Sequence, residues 1–258
     1  MKKKLWIMIV AVLLLVLVGG YLGYKIYYLN YYDLSNLYNF DEYKENLVIS
    51  DKKITIKTTT LNEEEYFTYK NMKMQNIFDG AESKFNSDEF EHPHDTDSIW
   101  YILKDEETGE SVASVGLGRG PQMFEYFNLE DFSFPEDERI KKNKDMVKVF
   151  KKYNIKNDID FLKFIVETKN HKNSIFDSVE EMEDLYAIYS LNFVTYAEEI
   201  ILIDGDYEGY IVKHDMDDAT MIECTILKDD KIYSFTFNNS KYFTDEMINK
   251  FLNTLVIE

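Results

Sequence analysis

Residues 199–238 read EIILIDGDYEGYIVKHDMDDATMIECTILKDDKIYSFTFN. Apolar side chains here come in short runs or at every second position, over 200–203, 207–212, 220–227 and 231–238. Strands produce that period because successive side chains point to opposite faces of a sheet. The connections are short and polar, and Asp204-Gly205 is a strong hairpin-turn pair, so the stretch predicts an antiparallel meander. Ile222, Cys224 and Ile226 alternate onto one face, which places Cys224 in the core as a small apolar residue. It is the single cysteine of the chain, so no internal disulfide is available.

Toward the C-terminus, Thr244 caps a helix carrying Met247, Ile248, Phe251 and Leu252 on one face, and residues 255–257 form a final strand that closes the sheet. Toward the N-terminus the period becomes that of helices. Met146, Val149, Phe150 and Tyr153 fall at i, i+3, i+4 and i+7 within a helix over 139–153. Asp158 caps a second helix through Ile159, Leu162, Ile165 and Val166, and Ser178 with Glu181 forms the capping box of a third through Met182 and Leu185. Residues 98–104 and 110–117 flank a polar turn ending in Gly109, which reads as a β-hairpin, and shorter strand-like runs lie at 47–50 and 54–58. The fold class expected is α+β: an antiparallel sheet with packed helices, preceded by one N-terminal transmembrane helix.

The strand at 232–237, the helix at 244–252 and the strand at 255–257 resemble, in layout, the closing part of Mog1/PsbP-like α+β domains. The resemblance covers the chain from 199 onward and implies a binding or assembly module more often than an enzyme.

Residues 5–24 carry no charge and are rich in Leu, Val and Ile, and about 20 such residues cross a bilayer core as a helix. Lys2, Lys3 and Lys4 precede the segment and only Lys25 follows closely, which by the positive-inside bias keeps the N-terminus in the cytoplasm. Six tyrosines, at 21, 24, 27, 28, 31 and 32, sit at the exit, where phenol rings favour the wet edge of a bilayer. The organisation expected is a cytoplasmic basic stretch at 1–4, a signal anchor at 5–24, a juxtamembrane stalk at 25–46 and an extracytoplasmic domain at 47–258. The alternative is a secreted chain cleaved near Gly20. Without Lys2, Lys3, Lys4 and Lys25 the chain has 25 basic against 48 acidic side chains, a net −23. That charge disfavours bulk binding to nucleic acid or to anionic lipid, so the partners expected are the lipid bilayer through residues 5–24 and a protein or cell-envelope component.

Four constellations bear on chemistry. Asp204, Asp206, Glu208, Gly209 and Asp215 match positions of a calcium-binding EF-hand loop, although strand-like flanks favour a plain hairpin. His92 and His94 stand among carboxylates in a mixture that could bind zinc or another divalent ion. Gly116, Gly118 and Gly120 beside Arg119 read as a strand exit that could approach an anion. Lys141, Lys144, Lys148, Lys151 and Lys152 cluster on one helical face within a local charge of +7 over 139–156, which is either a solvated face or a contact for an anionic partner. No nucleophile elbow, zinc-protease helix or phosphate loop is present. The function expected is a non-enzymatic, membrane-tethered binding module needing no cofactor. The alternatives are a metal-dependent hydrolase using His92 and His94, an immunity-type protein against a basic toxin, and a calcium sensor on 204–215.

Overall fold

In a computed structural model of the chain, the meander lies at the centre of a much larger sheet. The structure describes residues 2–37, 40, 44–45, 47–77, 82–85, 97–105, 107–122, 139–140, 144–191, 197–216, 219–238 and 242–258. Its strands are β1 (Ile49–Ile56), β2 (Tyr66–Tyr69), β3 (Met72–Gln75), β4 (Glu82–Phe85), β5 (Asp97–Lys104), β6 (Ser111–Pro121), β7 (Ala197–Gly205), β8 (Glu208–Met216), β9 (Ala219–Lys228), β10 (Lys231–Asn238) and β11 (Val256–Ile257). Its α-helices are α1 (Lys2–Tyr31), α2 (Met146–Lys152), α3 (Asp158–Thr168), α4 (Val179–Ser190) and α5 (Asp245–Thr254). Eight strands pair in the order β1-β7-β8-β9-β10-β6-β5-β4, and β11-β3-β2 form a separate three-stranded sheet.

Two expectations about the sheet are corrected. The large sheet is mixed, because β1 runs parallel to β7, with Ile54 opposite Ile203 and Ile56 opposite Gly205. A parallel pair needs a long crossover, which the chain between β1 and β7 supplies. The last strand also does not close the large sheet, since Val256 and Ile257 pair with Lys73 and Met72 of the small one. The β2–β3 hairpin was not legible in the sequence because its four-residue strands are too short to establish a period.

Strands β7 and β8 are buried on both faces, which is why 200–203 is a continuous apolar run. Ile201, Ile203, Ile211, Ile222, Cys224, Phe235 and Phe237 point to one core, closed by Ile248, Phe251 and Leu252 of α5 and by Met72 and Met74 of the small sheet. Ile200, Tyr210 and Val212 point to a second core, closed by Phe150 of α2, Phe161 and Leu162 of α3, and Met182 and Tyr186 of α4.

The capping chemistry explains where these helices begin. The capping box of Ser178 and Glu181 is present at α4, and Thr244 accepts from Met247 N at α5. Two starts differ from expectation. The second helix is capped by Asn157, whose side chain accepts from Asp160 N, with Asp158 buried in the first turn. The first begins at Met146, not 139, because Asp145 supplies the cap by accepting from Lys148 N.

Helix α1 runs past Lys25 to Tyr31 without a break. Tyr28, Leu29 and Tyr31 pack against the second core, and Tyr32, Leu34 and Phe40 are buried in it. The Tyr32 ring lies 5.9 Å from that of Tyr186 on α4. Part of the segment read as a stalk is therefore packed onto the domain.

Candidate functional site

On the first face of the large sheet the core is open at one end. Ile54 of β1, Ile201 of β7, Ile211 of β8, Ile222 of β9 and Ile248 of α5 floor a groove of about 270 Å³. Strand pairing explains the shared floor: Ile201 stands opposite Ile211, and Lys213 opposite Ile222. Lys52, Lys53, Lys213, Asp245 and Asn249 complete its lining. An apolar floor with a few polar groups at the edge is the usual make-up of a ligand site.

The rim is an ion network across four elements, β1, β7, β8 and α5. Lys213 Nζ lies 3.2 Å from Asp245 and 3.5 Å from Glu199, and Lys52 Nζ lies 3.2 Å from Glu199. Ser50 Oγ donates to the same Glu199 carboxylate at 3.1 Å. Partial burial pushes the Glu199 carboxyl up, but the bonds from Lys52 and Ser50 and the charge of Lys213 outweigh it and hold the group below its ordinary value. Asn249 Oδ1 is buried without a hydrogen-bond partner among the described residues. It is one of few buried side-chain acceptors left unsatisfied among the described residues, and its residue lines the groove.

The candidate calcium loop is a strand–turn–strand. Glu208 and Asp215 both lie on β8, and seven residues of extended chain separate them by about 23 Å. The backbone therefore does not form a loop that brings the four residues around one cation. Asp204 accepts instead from Thr55 Oγ1 at 2.7 Å, and Asp206 from Thr58 N at 2.7 Å, so both tie down the end of β1. The hydrogen bonds from Thr58 hold the Asp206 carboxyl below its ordinary value. Gly209 is small for a different reason than a metal loop would require: a Cβ there would stand 2.1 Å from the carbonyl oxygen of Thr225 on β9. Gly205, at φ 106°, provides the hairpin turn.

His92 and His94 lie outside the described residues, as does Lys141. Among the described residues, no group of three or more His, Cys, Asp or Glu is placed to hold a metal ion. The glycine-rich stretch is not a strand exit. Gly116, Gly118 and Gly120 lie within β6, and a Cβ at Gly116 would meet the Trp100 ring of β5 at 3.0 Å. Cys224 is buried in the first core, and burial pushes its thiol up.

The lysine face of α2 divides. Lys144 is 2.7 Å from Asp184 and 3.6 Å from Glu183, both buried on α4, and Lys152 is 2.7 Å from Asp184. Burial pulls Lys152 down, but its bond to Asp184 and the nearby negative charges win and raise its pKa. Lys148 and Lys151 are exposed. Two of the four described lysines thus hold the helical layer together.

Segment Trp6–Tyr31 of α1 spans 26 residues and contains an 18-residue window with a mean hydropathy of 2.5, long and apolar enough to cross a membrane. Membrane anchors and signal sequences share that length and composition. Sequence reasoning found this helix but missed Lys52, Lys53, Lys213 and Asn249. They come from β1, β8 and α5, and only the alternation of Ile201, Ile211 and Ile222 hinted at a common floor. No protein-family model, curated protein or solved structure matches the chain.

Proposed function

We propose that the chain is a membrane-tethered, extracytoplasmic binding module, and that the groove between β1 and α5 seats its ligand. The observation that carries this reading is the continuity of α1. An apolar helix of membrane-crossing length runs unbroken into the core of a folded domain, so tether and domain form one piece. The groove supports the choice of ligand. Three lysines against the one aspartate in its lining favour an anionic group there, set apart from the chain's overall negative charge. The isoleucine floor favours an apolar group beside that charge, and Asn249 favours a hydrogen-bond donor. An extended acidic peptide segment of an envelope protein carries all three chemistries.

Site-specific photo-crosslinking of the full chain in its native membranes tests this. A photoreactive residue at position 249 should yield a discrete product that disappears in a Lys52→Glu/Lys53→Glu variant, and one at the exposed Lys163 of α3 should not. Identical products from both positions, or a product that survives the charge reversal, would overturn the groove as the binding seat.

A further inference from the structure

Tight turns are normally built from Gly, Pro, Asn, Asp and Ser. The turn that precedes α4 follows this rule at its base and violates it at its tip. Ser174 N donates to Asp177 Oδ2 at 2.6 Å, Asp177 N donates to Ser174 O at 3.1 Å, and Phe176 N donates to Ser174 Oγ at 3.2 Å. These bonds close the turn and leave Ile175 and Phe176 at its apex, 38% and 90% exposed. Phe176 is more exposed than any other large apolar residue that the structure describes, α1 included. Nothing in the fold requires a phenyl ring there.

The turn is fastened to the end of α1. Lys25 Nζ donates to the Asp177 carbonyl, and Asn173 Nδ2 donates to the Tyr32 carbonyl at 2.9 Å. Lys25 is the first charge after the apolar run that begins at Leu5, and twenty residues of helix place it about 30 Å along the axis. That distance is the thickness of a bilayer's hydrocarbon core, so Lys25 marks the level where hydrocarbon gives way to headgroups. Tyr21, Tyr24 and Tyr27 are exposed around the helix near this level. Phe176 is adjacent in sequence to the residue that Lys25 holds, so the tip lies beside this part of α1.

We propose that Ile175 and Phe176 form a second membrane contact, a hydrogen-bonded turn that inserts into the interfacial zone of a phospholipid bilayer beside α1. With two points of attachment the domain cannot swivel about the helix axis, and the direction in which the groove opens is set relative to the membrane. The exposed Lys172, three residues before the tip, is placed to meet headgroup phosphates. The occupant is lipid because the exposed apolar tip is fastened to α1 at Lys25, where the exposed apolar run of that helix ends. The inference rests on the reading that α1 crosses the bilayer.

The test uses the full chain reconstituted into phosphatidylcholine and phosphatidylglycerol bilayers. Single nitroxide labels go on Leu17→Cys, Phe176→Cys and Thr60→Cys, and the buried Cys224 stays unlabelled. Collision rates with oxygen and with a water-soluble nickel chelate are then compared. Leu17 and Phe176 should report high oxygen and low nickel access, and the exposed Thr60 the reverse. Lipid-like access at Leu17 with water-like access at Phe176 would overturn the second contact and leave the tether standing. Water-like access at Leu17 would overturn both. Low access to both reagents at Phe176 would mean that protein covers the tip, and would overturn lipid as the occupant.

Discussion

The two cores that flank the large sheet are built by opposite means. On the first face, aromatic and aliphatic side chains meet with no buried ion pair among the described residues: Phe235, Phe237 and Phe251 pack edge to face with ring centres 5.2 and 5.5 Å apart. On the second, the helical layer carries Lys144, Glu183 and Asp184 as buried charges and receives the end of α1. The first face therefore provides packing energy and opens at the groove. The second joins the domain to the end of α1, and its ion pairs specify how α2 sits on α4. Buried pairs of this kind set geometry more than they stabilise, because desolvation offsets most of their attraction.

The largest expected effect lies on the first face. Phe251 is fully buried, and Phe251→Ala should cost about 3–5 kcal/mol in a urea titration. It should leave the nitroxide mobility of a label at position 176 unchanged, because α1 packs on the other face. A change at 176 would break the separation of the two faces.

Next comes the charge network. Asp184→Ala leaves the nearly buried Lys144 without its closest partner and should cost about 3 kcal/mol, whereas Lys144→Met/Asp184→Leu should restore most of the loss. An equally unstable double variant would show that the pair contributes net stability of its own. A smaller effect is expected at the cap of α4, where Ser178→Ala removes a hydrogen bond to Glu181 N and should cost about 1 kcal/mol, read from the urea midpoint.

The smallest effects are in pH, and they differ between the faces. Glu199 at the groove rim is depressed below its ordinary 4.5, so its contribution is complete above that value and is lost as pH falls through the depressed pKa. Lys152 in the helical layer is raised above 10.5, so its contribution is complete below that value and is lost as pH climbs through the raised pKa. Urea midpoints should thus become less acid-sensitive in Lys52→Ala and less alkali-sensitive in Lys152→Ala. The same acid response in Lys52→Ala as in the parent would remove Glu199 from this account.

The elements that could be read in advance are those written in local periodicity. The apolar run of α1, the alternation of Ile222, Cys224 and Ile226, the 98–104/110–117 hairpin, and the caps at Ser178 and Thr244 each depend on residues a few positions apart. Neighbouring chain alone decides them. The β1–β7 pair, the groove and the division of the lysine face depend on residues brought together from far along the chain. Thr55 bonds Asp204 across 149 positions, and Lys144 and Lys152 find Asp184 on another helix. Asp204, Asp206, Glu208 and Asp215 show the limit most clearly, since their spacing suits a cation loop as well as a hairpin. Strand pairing with β1 and β9 decides between them, because an extended β8 carries Asp215 too far from Asp204 to share an ion. The Ile175-Phe176 tip is an unremarkable dipeptide in the sequence. It gains meaning only where Lys25 and Asn173 hold it at the end of the apolar helix.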